Sequence, residues 1–236
     1  MRRPLDLWRI TCADLIVRTF YQVGKTPLMP LFAASLGASE FLVGAIVSVS
    51  TMTGLVFKPI FGWLSDRWGR TFWLFLGLAL FSGMPFFYQL IESPEQLFFL
   101  RLIHGLATAI FGPVTLALVA EMAVSGRAER LGWFGMARSS GYLLAPILGA
   151  WLLTWLEPQT VFTIIGFLSC TAFLPVFMMD RLNLNSPKSR VGKQKIMEHG
   201  FRACVAVIPN RGLWLAAVLE TLAYFFIYSI KVFLPL

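Results

Sequence analysis

Seven apolar runs, each about 20 residues or more, divide the chain at approximately 8–36, 40–62, 71–91, 96–123, 131–156, 160–179 and 212–236. A helix of that length crosses a hydrocarbon core about 30 Å thick. Inside lipid every backbone N–H and C=O must find a partner within its own segment, so each run is predicted to be an α-helix. Composition points the same way: 57% of the 236 residues are hydrophobic and 14% charged, against roughly a quarter charged in soluble domains. Too few polar side chains remain to clothe seven helices buried in a soluble protein. Phe86, Phe87 and Tyr88 sit near the end of a run, as an interfacial aromatic belt does. The first run is too long for a secretory leader and lacks an evident cleavage site.

A net charge of +8 would suit nucleic acid, but its distribution indicates membrane topology instead. The turns after the first, third and fifth runs carry Glu40, Glu92, Glu95 and Glu157, with no Lys or Arg. The opposite side carries Arg2, Arg3, Arg9, Arg67, Arg70, Arg127 and Arg130, together with the basic segment 181–211. The positive-inside rule then places the N-terminus in the cytoplasm of a plasma (inner) membrane protein, and anionic headgroups of that leaflet add to the preference. Nucleic acid is excluded as a partner; the lipid bilayer is the expected one. Cys12 and Cys170 lie within runs and Cys204 in the basic segment, so no extracellular disulfide is expected. No phosphate loop, nucleophile elbow or metal-spaced His/Cys cluster occurs, so neither an enzyme nor a metal or cofactor site is expected.

The most charged stretch among the apolar runs is "FGWLSDRWGR", residues 61–70. Gly62 has no side chain and lets the second run approach a neighbour closely. Gly69 can adopt the positive φ that a tight two-helix turn needs. Asp66 can accept hydrogen bonds from the start of the third helix or pair with an arginine. Gly62, Leu64, Asp66, Arg67, Gly69 and Arg70 fill every fixed position of G-x-L-x-D-R-x-G-R, and the stretch resembles the signature loop of the major facilitator superfamily. "RLIHGLATA" in the fourth run is similar to that family's R-x-x-Q-G-x-G-A-A, with His104 in place of Gln and Ala107 in place of Gly. "GYLLAPILGA" in the fifth resembles G-x-x-x-G-P-x-x-G-G, typical of its antiporters, with Ala145 and Ala150 in place of glycines. "AEMAVSGRAERLG" resembles the corresponding loop between the fourth and fifth helices.

The resemblance implies an all-α membrane protein: a six-helix N-terminal bundle over 1–180, a basic cytoplasmic linker over 181–211, and a seventh transmembrane helix over 212–236 that begins an incomplete second bundle. It covers about seven helices of a usual twelve, so a truncated transporter, or one completed by a missing second half or partner chain, is an expectation. In the family the signature loop locks the two halves while the cytoplasmic side is closed. The implied mechanism is alternating access around a midplane site. On the fifth helix Gly141, Ala145 and Gly149 recur every four residues as one smooth stripe, and Pro146 removes a backbone donor and bends the helix. A stripe with a bend suits an interface that rocks; the same stripe also suits ordinary close helix packing.

Ionisable groups inside the runs identify the expected pathway for substrate and protons. A lone charge at the bilayer centre costs about 2.5–3.5 kcal/mol on insertion scales. Asp14, Arg18, Tyr21 and Lys25 fall within about 60° of one helical face, with Gln22 beside them. Asp14 and Arg18 are spaced to pair directly. Arg101 enters the fourth run, where snorkelling to the outer interface is the competing reading, and His104 lies one turn deeper. Glu220 lies in the seventh run. Asp14 with Lys25 and Glu220 with Lys231 repeat one eleven-residue spacing, close to three helical turns, as an internal repeat would. The expected pathway is therefore Asp14, Arg18, Gln22, Lys25, Arg101 and His104, faced by Glu220. The antiporter-like motif favours proton-coupled export of a small organic solute. The excess of Arg18, Lys25 and Arg101 over Asp14 supports an alternative, proton-coupled import of an organic anion. A truncated, non-transporting fragment is the remaining alternative.

Overall fold

The computed structural model describes residues 2–122 and 126–179, together with positions 211, 212, 214, 215, 218, 219, 221, 222 and 226. The chain divides into two compact units, Met1–Ser186 and Pro187–Leu236. In the second unit the described positions are all helical. Glu220, Lys231 and all of the 181–211 linker except Arg211 lie outside the described residues.

Among its described residues the first unit runs in six helical rods. The first joins α1 (Arg2–Val23) through a π-helical turn, Gly24–Leu28, to α2 (Met29–Ser35). Pro27 lies inside the π turn and has no N–H to donate. Then come α3 (Glu40–Trp68), α4 (Arg70–Phe87) with a short 3₁₀ turn, α5 (Pro94–Met122), α6 (Arg127–Leu153), and α7 (Pro158–Cys170) continued by α8 (Phe173–Phe177). Ser39 caps α3 by accepting from the Leu42 N–H. Prolines begin α5 and α7, where a missing donor costs nothing.

Among the described residues, four helical stretches are long and apolar enough to cross a membrane: Glu40–Trp68, Arg70–Leu90, Pro94–Met122 and Pro158–Phe177. Helices α1 and α6 are not among them. They carry Asp14, Arg18 and Arg138, and they pack on one another, so the two most polar rods hide their polar faces in a shared seam.

The expected loop at 61–70 is not a loop. Helix α3 continues to Trp68 and α4 starts at Arg70, so the whole turn is Gly69, at φ 96° and ψ 141°. That backbone region is essentially closed to residues with a Cβ. Asp66 does not cap α4; it pairs with Arg70 at 2.8 Å. The close approach expected at Gly62 is also absent among the described residues: a Cβ there would sit in ordinary contact, 3.7 Å from Pro113. The tight crossing of α3 and α5 lies further along. A Cβ at Gly105 would come within 2.6 Å of Thr53 and 2.9 Å of the Ser50 carbonyl, and one at Gly54 within 2.7 Å of Thr108 Oγ1. Small residues at such crossings let backbones touch.

The stripe on α6 is filled rather than open. Gly141, Ala145 and Gly149 are buried. Gly141 faces Thr19 of α1 and Gly149 faces Pro27 of the π turn. In this structure the stripe is packed closely inside the first unit. Pro146 sits within an unbroken α6.

Candidate functional site

Two apolar cores stack along the rods. One contains Val17 of α1, Phe81 of α4, Ala107 of α5 and Phe134 of α6. The other contains Val23, Tyr88, Leu97 and Ala145. Polar groups interrupt this apolar packing at several levels on four of the rods. Arg18 and Gln22 on the first, Ser82 on α4, Arg101 and His104 on α5, and Arg138 and Tyr142 on α6 form a polar band. Burying such groups is costly unless they are paired.

Asp14 is the anionic centre of the band and is 1% exposed. Arg138 grips it as a fork, with Nε 3.0 Å from Oδ2 and Nη2 2.9 Å from Oδ1. Arg18 Nε lies 3.2 and 3.3 Å from the two oxygens. Thr115 Oγ1 of α5 stands 3.1 Å from Oδ1 and 3.2 Å from Arg138 Nη2. A fork of this kind is the strongest geometry a guanidinium offers a carboxylate. The neighbours make room for it: a Cβ at Gly112 would lie 3.2 Å from Arg18 Nη2, and the Arg138 guanidinium rests over the Phe134 ring at 4.6 Å. One carboxylate thus ties α1, α5 and α6 together.

A second cluster surrounds Arg101, also 1% exposed, so snorkelling to an interface is excluded. Its Nη2 donates to Ser50 Oγ at 2.6 Å, its Nη1 lies 3.5 Å from the Tyr88 hydroxyl, and its guanidinium sits 5.7 Å from the Tyr21 ring centre. Tyr21 donates to Ser50 at 3.2 Å. His104 Nδ1 is 2.9 Å from the Tyr88 hydroxyl, while its Nε2 is buried without a hydrogen-bond partner. A cavity of about 10 Å³, roughly the volume one water needs, is lined by Tyr21, Tyr88, Arg101 and His104. Further along the first rod, Gln22 donates to Thr26, and Lys25 Nζ donates to Thr51 Oγ1 of α3 at 2.6 Å.

The expected pathway residues therefore fall into two clusters plus a lysine. Asp14 and Arg18 share one, and Arg101 and His104 the other. Asp14, Gln22, Arg101 and His104 are buried, so they face helix partners rather than an open wet wall. Arg138, Thr115, Ser50 and Tyr88 were not anticipated. A lone arginine inside the fifth apolar run was available as a signal, because the cost that drew attention to Arg101 applies equally to Arg138. The hydroxyl partners had no such signal.

At the turn, Arg70 bridges Asp66 at 2.8 Å and Glu121, near the end of α5, at 2.9 Å. Arg67 lies 5.5 Å from the Trp63 ring centre. On the same side of the bundle, a groove of about 330 Å³ between α1 and α6 is lined by Trp8, Arg130, Trp133 and Met136.

The family model of the Major Facilitator Superfamily matches residues 17–236. The chain belongs to this superfamily. Multidrug resistance protein 1 of Bacillus subtilis is 27% identical over 181 residues, covering 76% of this chain and 46% of that protein. The multi-drug resistance efflux pump PmrA of Streptococcus pneumoniae is 28% identical over 159 residues, with coverage of 64% and 39%. The quinolone resistance protein NorA of Staphylococcus aureus is 25% identical over 173 residues, with coverage of 72% and 43%. The chain spans about half the length, or somewhat less, of these curated relatives. A crystal structure of the peptide transporter POT, a mutant in complex with sulfate, superposes with a TM-score of 0.65 at 18% identity, covering 95% of this chain and 51% of that one. That likeness concerns the fold alone. As a superfamily member the chain is an all-α integral membrane protein, and the filled motif at 62–70 and the band of buried charge are features of its bundle.

Proposed function

We propose that this chain is the N-terminal part of a secondary active transporter that exports a small organic solute in exchange for protons by alternating access. It would lie in the plasma membrane with its N-terminus in the cytoplasm. Transport as such is supported by superfamily membership and by relatives named for drug resistance and efflux. The observation that carries the mechanism is the clasp at Asp14. A carboxylate held by arginines on two helices is a discrete, breakable connection, and alternating access needs elements with two arrangements. In this reading Asp14 is released from Arg18 and Arg138 when the helices shift, and takes a proton while released. Gln22, Lys25, Arg101 and His104 border the pathway, and Glu220 of the seventh helix is a second proton site. The Gly62–Arg70 motif is the lock of the cytoplasmic side, and the Asp66–Arg70–Glu121 bridge ties α3, α4 and α5 at that end so that they meet the second half as one piece.

The test is transport in proteoliposomes with Asp14→Asn placed in a twelve-helix version of the protein. The variant is expected to lose accumulation driven by a pH gradient while retaining downhill exchange of solute. Unchanged pH-driven transport would remove Asp14 from the coupling and pass the role to Glu220, measured as Glu220→Gln in the same assay.

A further inference from the structure

Helices α1 and α6 run parallel, because Asp14 meets Arg138 and, further along both, Thr19 faces Gly141. Trp8 lies six residues before Asp14 and Trp133 five before Arg138, so the two indoles stand at about one level. They line the groove of about 330 Å³ between these helices. Trp8 is 66% exposed and Trp133 58%, so the groove is open to whatever surrounds the bundle. Arg130, nearer the start of α6, stands at its mouth, and Ser140 lies at its far end. The helix between those two residues is about 15 Å long. That is half of a hydrocarbon core about 30 Å thick, the depth of one leaflet.

The depth of the groove and its mouth differ in chemistry. Thr11 and Ser140 line the depth, and both hydroxyls are turned back on their own helices. Thr11 Oγ1 donates to the Leu7 carbonyl and Ser140 Oγ to the Ala137 carbonyl, each at 2.7 Å. A hydroxyl has one proton to donate, so neither has another to offer. Phe134 and Ala137 add apolar wall. A guest with acceptor groups along its length would bury them unpaired, at a cost; a hydrocarbon chain has none. At the mouth, Arg130 is half-buried, and its guanidinium makes no hydrogen bond or ion pair among the described residues. Asp6 of α1 is already paired with Arg9 at 2.9 Å. A guanidinium offers a planar fork of donors that fits a phosphate. Tryptophans beside it mark the level at which headgroups lie.

We propose that the α1–α6 groove binds an acidic phospholipid, with one acyl chain laid along Thr11, Phe134 and Ala137 and the phosphodiester held by Arg130 between Trp8 and Trp133. The lipid comes from the leaflet that meets the N-terminal ends of α1 and α6. In the proposed orientation that is the cytoplasmic leaflet, whose headgroups are anionic. It is a companion of the bundle and not the transported solute, so the site does not depend on what is transported. Its chain rests on Phe134, the ring that carries the Arg138 guanidinium at 4.6 Å, and so covers the α1–α6 seam beside the Asp14 clasp.

The experiment uses the full chain, purified in dodecyl maltoside, and native mass spectrometry, which counts the lipids held by each molecule. The probes are palmitoyl-oleoyl phosphatidylglycerol and palmitoyl-oleoyl phosphatidylcholine, which share the same chains. A single tight phosphatidylglycerol is expected, with phosphatidylcholine weaker because its ammonium stands against Arg130. Arg130→Gln should weaken phosphatidylglycerol by about tenfold, the loss of one charge-assisted contact. Arg127→Gln, on the exposed start of α6, should change it little. Ala137→Trp fills the groove and should remove the site for both lipids. Arg130 holds no partner among the described residues, so Arg130→Gln leaves the packing of the bundle intact. Equal binding of the two lipids overturns the site. Equal losses from Arg130→Gln and Arg127→Gln overturn it in favour of a diffuse basic surface. A dimer of the chain that Ala137→Trp disperses, with the lipid adducts unchanged, overturns it in favour of a second copy in the groove.

Discussion

Removing Arg138 probes the centre of the polar band. Arg138→Met keeps an unbranched apolar stem but removes the guanidinium that lies 4.6 Å from the Phe134 ring centre, and with it the two donors 2.9 and 3.0 Å from Asp14. Stripping a buried charge of its only partner costs about 3–5 kcal/mol. Asp14 retains Arg18 and Thr115, so the smaller value for a hydrogen bond to a charged group applies, about 1.5–3 kcal/mol. Asp14→Asn is the harsher change. It leaves two guanidiniums facing one neutral amide, and the expected cost is about 3–5 kcal/mol. In the double variant one of those cations is gone, so the combined loss should fall short of the sum by about 1–3 kcal/mol. The assay is unfolding of the purified chain in mixed micelles by titration with sodium dodecyl sulfate, followed by far-ultraviolet circular dichroism. Losses that add within about 0.5 kcal/mol would refute the clasp as an energetic unit.

Gly105→Ala should destabilise the bundle by about 1–3 kcal/mol through overpacking. The new methyl meets Thr53 and the Ser50 backbone, and a thermal shift no larger than that of Gly83→Ala, which has open space around it, would count against the tight α3–α5 crossing. Gly69→Ala should cost about 1–3 kcal/mol because its φ of 96° and ψ of 141° lie in a region essentially closed to residues with a Cβ; asparagine, whose tolerance is for the left-handed helical region, should recover little of that in the same titration, and a full recovery would count against this geometry. Single cysteines at Glu92 and Glu157 should react with an impermeant thiol reagent from outside intact cells and one at Glu129 should not, and the opposite labelling pattern would reverse the proposed orientation.

The helical architecture was legible in the apolar runs because the bilayer imposes a length and an all-helical backbone on anything that crosses it. The glycine at 69 was legible for a related reason: its role is local, a φ that no neighbouring residue can supply. Boundaries near that turn were less so. Helix α3 carries on through Asp66 to Trp68, and the polar residues that suggested a loop are accommodated on a helix by pairing one turn onward, Asp66 with Arg70. The stripe on α6 was visible as small residues every four positions. That it receives Thr19 and Pro27 of the first rod depended on which helix lay beside it.

For the site, the sequence by itself determined which residues were too costly to leave alone: Asp14, Arg18, Arg101, His104 and, by the same cost, Arg138. Cost in lipid is a property of residue type and depth. The tertiary structure alone decided who relieves it. Arg138 reaches Asp14 across 124 positions of sequence, Ser50 reaches Arg101 across 51, and neither hydroxyl nor guanidinium advertises its partner in a periodic pattern. Periodicity reports which side of a helix faces away from lipid, whereas the partner on that side is set by the packing of other helices.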